Sequence, residues 1–355
     1  MPTGATLVSS SSELIAALAG ATKDIVLADG TYDNATAFTD SNGSRLYAQH
    51  VGKAVLTAGL VIGGNFSSGG GVAQGLTFDV SSTSKVFGGG VIHVWGNGGT
   101  NTSVLDCVFR GHSVIPVGLL AYNPQGLDVE RSQFYSFTDE GIRASDNTLV
   151  SYGASTPRMS RITDVLVDGV SRSTPGASDG TAEAGIWIGH PVTNGVSRIK
   201  IRNVAWSGIE IANNAWDTAI TDVDIDMSGP SAASGVAVYL EHFSRHLTFN
   251  RFSISGSRIG FNGEWADPAW GGVAAAHNVT IENGTIDAAG WSKAGHTAGV
   301  YLDEGSDSTT VTGVVFKNQN WAAIGAYLNV GTNTFGGNGT SGLASGAVSV
   351  STQHI

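Results

Sequence analysis

Glu210, Glu241, Glu264 and Asp303 stand at or near the ends of short runs in which apolar residues alternate with others, and large aromatic residues stand beside them. Most runs open on a glycine, as in Gly118-LLAY, Gly141-IRAS, Gly185-IWIG, Gly208-IEIA, Gly235-VAVYL, Gly260-FNGEW and Gly299-VYLD. Period-two alternation turns the first and third residues after the glycine to one face and the second and fourth to the other. The second position reads Arg143, Trp187, Glu210, Ala237, Asn262 and Tyr301. The fourth reads Tyr122, Ser145, Gly189, Ala212, Tyr239, Glu264 and Asp303, with His190, Glu241, His242, Trp265 and Glu304 just beyond. Stacked as strands about 4.8 Å apart, these positions become columns of one surface that mixes carboxylates with rings.

Paired carboxyl groups have a defined chemistry. Cleavage of a glycosidic bond by water takes one protonated and one ionised carboxyl; a gap of about 5 Å retains the anomeric configuration and roughly 6.5–9.5 Å inverts it. Glu264 and Asp303 fall in one column on adjacent coils, close enough to push one pKa upward. Glu210 and Glu241 suit the longer spacing. Trp187, Tyr239, Trp265, Trp270 and Tyr301 offer rings to the C–H faces of sugars, and Asp267 lies in the same Trp-bearing loop, Gly263-EWADPAWGG. A different chemistry needs a base such as His242 or His190, with Arg143 or Arg245 neutralising a uronate. The structural alternative is plain: carboxylates that solvate an exposed sheet, and a loop held by salt bridges.

These columns need a repeating scaffold. The glycine-led runs recur about every two dozen residues where no insertion intervenes, the repeat length of a solenoid coil. A second unit falls between them: Asp106-CVF, Asp164-VLV, Asn203-VAW, Asp222-VDI, Arg251-FSI, Asn283-GTI and Gly313-VVF. Asp and Asn at its start suit a tight corner, because they tolerate unusual backbone angles and bond nearby amides. Two strand types per coil joined by corners describe an all-β, single-stranded, right-handed parallel β-helix; the hand follows from the usual sense of parallel crossovers. The glycines are expected at corners. Residues 12–21, SELIAALAGA, read as an amphipathic helix capping the open end of the stack. The solenoid is expected over 1–330, with a Gly/Ser-rich cap, tail or oligomer contact over 331–355.

Composition agrees with a turn-rich β protein. The 355 residues include 50 glycines, and only 13% are charged. The net charge of −11 opposes nucleic-acid binding and disfavours an anionic polymer unless a local cation intervenes. Cys107 is the single cysteine, so no intrachain disulfide forms, and its place in the repeat makes it a core thiol. No apolar run is long enough to span a membrane. No signal peptide is visible, and export is an expectation. No cofactor is indicated: Asp224 and Asp226 would lie roughly 7 Å apart along one strand, too far to share one calcium ion easily.

The opening SELIAALAGATKDIVLADGTY resembles the start of pectin-lyase-like β-helix proteins, especially chondroitinase B and alginate lyases, and the glycine-led coils extend that resemblance along the chain. The resemblance implies the fold; it carries no catalytic group, because the superfamily includes hydrolases, transferases, lyases, epimerases and tailspikes. Arg198-Ile199-Lys200 matches a short polygalacturonase motif, but the accompanying aspartate motifs and Gly-His-Gly are missing, and only Gly189-His190-Pro191 stands nearby. The leading expectation is a secreted polysaccharide-cleaving hydrolase or glycan transferase using Glu264, Asp303, Glu210 and Glu241. The alternatives are a lyase or epimerase acting on a uronate polymer, and a non-catalytic glycan-binding tailspike or adhesin domain. The expected partner is a polysaccharide, and the chain is expected to be a monomer or homotrimer.

Overall fold

The structure, a computed structural model, describes residues 2–40, 43–63, 70–95, 101–145, 158–171, 184–212, 214–229, 235–241, 244–263, 277–289, 291, 295–303, 306–326, 333–343 and 348–351. They fall into two compact units, Met1–Asp146 with Pro157–Thr181 and Asn147–Thr156 with Ala182–Ile355. In each the fold is a right-handed parallel β-helix. Every coil contributes one strand to a front sheet and one bent strand, or two short ones, to a back sheet.

In the first unit the front strands are Phe38–Asp40, Leu60–Gly63, Gly90–Trp95, Val117–Tyr122 and Glu140–Ser145, paired in that order and all parallel. In the second they are Ala184–Ile188, Ser207–Ile211, Val236–Leu240, Ile259–Gly263, Ala298–Leu302, Ala322–Ala326 and Val348–Ser351. The last of these lies inside the Gly/Ser-rich 331–355 segment, which also adds Thr334–Gly336 and Gly339–Ser341 to the back sheet.

Between the sheets, register stacks like on like. Phe78, Phe109 and Phe134 form one such row, with centroids 5.0 and 4.5 Å apart and planes nearly parallel. Cys107 is fully buried beside this row, its thiol 3.3 Å from the Ala73 carbonyl oxygen. Burial pushes the thiol up to about 12. A thiol reagent should therefore leave Cys107 unlabelled in the folded protein and label it on unfolding, which a colorimetric titration with and without denaturant checks.

The N-terminal helix runs Ser11–Ala19, one position earlier at its start and two at its end than the sequence pattern suggests. Ser10 is its cap, taking the Glu13 amide on Oγ at 3.3 Å, and the Glu13 carboxylate takes the Ser9 amide at 2.7 Å. These two bonds to Glu13 set the start of the helix ahead of Ser12. Leu14, Ala17 and Leu18 are buried, and the helix packs on the Phe38–Asp40 strand.

Gly235 sits at a turn ahead of its strand, with φ of 68°, but the other glycines of the second unit's runs do not sit at corners, which corrects the sequence expectation. Gly185, Gly208 and Gly260 lie inside front strands, where a Cβ would come within 2.8, 2.8 and 2.7 Å of Ile201, Ile225 and Ile286 side-chain carbons. They are required by close approach, to these core side chains and to the carbonyl oxygens of Gly208, Ala237 and Gly299 on the next coil, not by backbone angle. The corners belong to polar residues in the left-handed region. In the first unit these are Asp106, Arg131 and Asp164, with φ of 54, 49 and 55°. In the second they are Arg198, Asp222, Arg251 and Asn283, with φ of 53, 56, 56 and 55°, followed by Gly313. Asn203 also has positive φ but turns the far end of the Val196–Val204 strand, so Arg198 takes the ladder position assigned to it.

The corner residues alternate in charge from coil to coil. Arg131 grips Asp106 at 2.7 and 3.1 Å, and Arg251 grips Asp222 at 2.7 Å through each of two nitrogens. These guanidinium bonds hold both carboxyls below the usual range. Their contribution is thus present above the unfolded carboxyl pKa and is lost as pH falls through the folded one. At an exposed site it is small. Arg251→Gly should therefore be near-neutral, exchanging the pair for relief of the left-handed backbone. Arg251→Val should cost about 1–2 kcal/mol, because a branched Cβ does not fit there; denaturant midpoints of the two variants test this. Farther along the same strand, Asp224 lies opposite Lys200, and Asp226 accepts the Ser228 amide at 2.9 Å.

Candidate functional site

The site is built where the chain leaves the front sheet of the second unit and enters the back sheet. Three columns meet there. The rim column follows the front strands: Ala212 donates to the Ile188 carbonyl, Glu241 to Ile211 and Asp303 to Gly263, each through its backbone amide at 2.8–2.9 Å. The second column is Trp216, Arg245, His277 and Asp307, adjacent on successive coils. The third is Asp217, His246, Asn278 and Ser308, with φ of 51, 51, 53 and 52°. These last residues form a second polar corner ladder between buried neighbours such as Ser244 and Leu247; in the second column Trp216 is fully buried, whereas Arg245, His277 and Asp307 are half-buried.

The side chains of these columns interact. His277 Nδ1 bonds Asp307 Oδ1, and the two side chains are 33% and 38% exposed. A carboxylate only accepts, so Nδ1 donates the proton of this bond and Nε2 is the ring nitrogen not used in it. Asn278 donates its amide to His246 Nε2 at 3.4 Å. The rings of His246 and His277 lie 6.3 Å apart, edge to face. Arg245, half-buried, is the register neighbour of His277 on the preceding coil, about 4.8 Å away at the backbone. A base with a fixed tautomer beside a guanidinium can remove a proton next to a carboxylate that the guanidinium neutralises.

The residues singled out in the sequence are distributed as follows. Glu241 and Asp303 stand in the rim column two coils apart, and Arg245 stands in the second column. His242, Glu264, Trp265, Asp267 and Trp270 lie outside the described residues. Glu210 does not face solvent: it is 1% exposed and receives the Trp187 Nε1–H at 2.6 Å. Trp187 is itself buried against Ala184 and Ala212, so the expectation of an open ring there is corrected. Register is the reason, since it sets the indole directly beside the carboxylate. Tyr301 is also buried, packed with Val236, Ile259 and Ala298. His190 is fully buried. Arg143, in the first unit, pairs with the buried Glu140 at 3.2 Å.

Tyr239 belongs to a different column from the one expected. Ser207 lies opposite Val236 and Ile209 opposite Val238, so Ala237, not Gly235, takes the place of Gly208. The two-residue slip moves Tyr239 beside Glu210 and Asn262 and sets Glu241 in the rim column with Asp303. His277 and Asp307 were not singled out by the glycine frame. The signal that finds them is the repeated start of the back strands: Trp216-Asp217, Arg245-His246, His277-Asn278 and Asp307-Ser308, each ahead of an alternating run. Among the described residues, no group of three or more His, Cys, Asp or Glu side chains is placed to hold a metal ion. No described helix is long and apolar enough to cross a membrane.

No protein-family model matches this sequence, and no curated protein does. Solved structures do. The A-module of mannuronan C-5 epimerase AlgE4 from Azotobacter vinelandii is similar over 97% of this chain and 96% of its own, with a TM-score of 0.61 at 13% identity. Alginate lyase AlyF-OU02, in complex with G6, is similar over 94% of this chain and 85% of its own, with a TM-score of 0.59 at 13% identity. PfbA, a surface adhesin of Streptococcus pneumoniae, is similar over 94% and 87%, with a TM-score of 0.53 at 13% identity. At such identities the likeness shows the fold, and the fold of this chain is the right-handed parallel β-helix found in alginate lyases and mannuronan epimerases.

Proposed function

We propose that this chain is an extracellular polysaccharide lyase or epimerase acting on a uronate-containing polymer, with its chemistry at the rim of the second unit. The observation that carries the reading is the row Arg245, His277, Asp307, in which Asp307 fixes the His277 tautomer beside a guanidinium. The likeness to an epimerase and a lyase of alginate supports it. The paired-carboxylate reading is weaker, because Glu210 is buried under Trp187.

Arg245 pairs with the carboxylate on C5 of the sugar, which lowers the cost of negative charge developing there. His277 Nε2 takes the C5 proton, and Asp307 stabilises the imidazolium that results. The electron pair left at C5 then has two outlets. It forms a C4–C5 double bond as the C4–O bond breaks and the departing oxygen, which leaves with the rest of the polymer, takes a proton from the His277 imidazolium or from water, which is elimination. Alternatively, C5 takes a proton from water on the opposite face while the His277 imidazolium gives its own to solvent, which inverts the centre without breaking the chain.

The test is incubation with polymannuronate, polyguluronate, polygalacturonate and neutral glucans. Ultraviolet absorbance from an unsaturated product, or inversion at C5 seen by proton NMR, is the expected result on one of the uronates. New reducing ends without a double bond would move the reading to hydrolysis by Glu241 and Asp303. Binding without any change in the polymer would move it to an adhesin.

A further inference from the structure

The front sheet of the second unit carries a set of rings that the proton chemistry leaves unused. Trp321 precedes the Ala322–Ala326 strand and folds back over Gly325 of that same strand, where any Cβ would overlap the indole. Gly325 lies opposite Tyr301, and the Tyr301 and Trp321 rings meet edge to face at 6.2 Å. Tyr239 packs on the same cluster, half-buried like Trp321. At the outer edge the exposed His296 ring lies 6.3 Å from Trp321, and Arg258 donates Nε–H to the His296 carbonyl oxygen at 3.3 Å. A rigid, half-open indole, phenol rings around it and a guanidinium at the edge make a surface that is apolar in the middle and cationic at one side.

We propose that this patch is a stacking subsite for one uronate ring of the polymer, a reading that rests on the proposed function and names a place where that polymer is held. The C–H face of a pyranose lies on Trp321, and its carboxylate meets Arg258. Charge selects the occupant: on a chain of net charge −11, a cation beside an aromatic platform matches an acidic sugar better than a neutral one. Continuity selects it too, because Tyr239 and Tyr301 each stand two residues before Glu241 and Asp303 of the candidate rim. The glycine seat is the built part. Gly325 has no side chain because the indole occupies that space, so the ring cannot settle deeper or rotate freely.

The test is titration calorimetry with a defined oligouronate and, in parallel, a neutral gluco-oligosaccharide of equal length, together with sedimentation of the free protein. Trp321→Ala should weaken oligouronate binding by roughly tenfold. Gly325→Ala should do nearly the same while keeping the indole, because the new methyl group unseats it. Arg258→Gln should reduce the preference for the oligouronate over the neutral sugar. Trp321→Phe keeps a ring and is the variant to use if circular dichroism shows that Trp321→Ala does not fold. Unchanged oligouronate affinity in both the Trp321 and Gly325 variants would overturn the subsite and leave the proposed chemistry standing. Binding of the neutral sugar through Trp321, with no oligouronate binding, would overturn the uronate assignment and the proposed function together. A wild-type dimer that Trp321→Ala converts to monomer would overturn the subsite in favour of a second copy of this chain.

Discussion

Replacing His277 by alanine should lower turnover on the uronate polymer by at least about a hundredfold while leaving the melting temperature nearly unchanged. The size follows from the typical contribution of a positioned general base. The unchanged stability follows from a side chain that is one-third exposed and bonded only at the surface. Arg245→Ala should fall by a comparable factor, since removing a group aimed at developing negative charge costs about 2.7–4 kcal/mol in well-studied sites. Asp307→Asn is more informative about geometry. Its amide can still accept from Nδ1 but no longer balances an imidazolium, so kcat should fall with KM unchanged. If instead His277→Ala, Arg245→Ala and Asp307→Asn all retain wild-type rates, the row is a surface polar ladder and the chemistry lies at Glu241 and Asp303.

Gly299→Ala should be among the most destabilising single-methyl changes in the chain. Gly299 lies in the Ala298–Leu302 strand of the front sheet, directly over Phe316 of the back sheet. A Cβ there would overlap the Phe316 ring and come within 2.6 Å of the Ala323 carbonyl oxygen. Neither neighbour can yield, because Phe316 is fully buried and Ala323 is paired in the sheet. Overpacking of this kind costs about 1–3 kcal/mol, and more where backbone is involved. Gly336→Ala is the matched control: nothing lies within 4 Å of its Cβ position, and its denaturant midpoint should not move. Equal midpoints for the two variants would mean that the glycine-led strands relax outward and that the repeat is not a packing rule.

The coil repeat was legible because two physical rules write themselves into sequence. Alternation marks the interior positions, and Asp or Asn at the unit start marks Asp106, Asp164, Asp222 and Asn283 as corners, where φ is positive; Arg251 carries no such signal. The reason for the glycines was not legible, since a corner and a close approach both ask for glycine. Only the position of Ile201, Ile225, Ile286 and Phe316 beneath them decides between the two. Register was the larger loss. Gly235 looks like one more repeat start, yet the pairing of Ser207 with Val236 sets Ala237 in its place, and every column drawn from Gly235 shifts by two.

The candidate site suffered from both limits. Alternation says that Trp187, Glu210 and Tyr301 leave the core side of their strands; it cannot say that Trp187 lies down on Glu210, or that Tyr301 is packed among Val236, Ile259 and Ala298. His277 and Asp307 stand at unequal distances along the sequence from the preceding glycines, so their positions do not align when counted from glycines. They align at once when counted from the left-handed residues His246, Asn278 and Ser308. Glu241 and Asp303 are singled out by alternation, but the column that joins them runs through Ala237 and not through Gly235.

The central claim is that the C5–H bond of a uronate breaks at His277. It is tested most directly with a uronate polymer that carries deuterium at C5, incubated with the protein in ordinary water. Elimination and epimerisation both pass that deuterium to His277 Nε2 and from there to solvent. Deuterium should therefore appear in the water in step with product, and His277→Ala should release none. Product that accumulates while every C5 deuterium stays on the sugar would contradict the account, because a glycosidic bond would then be broken without the base.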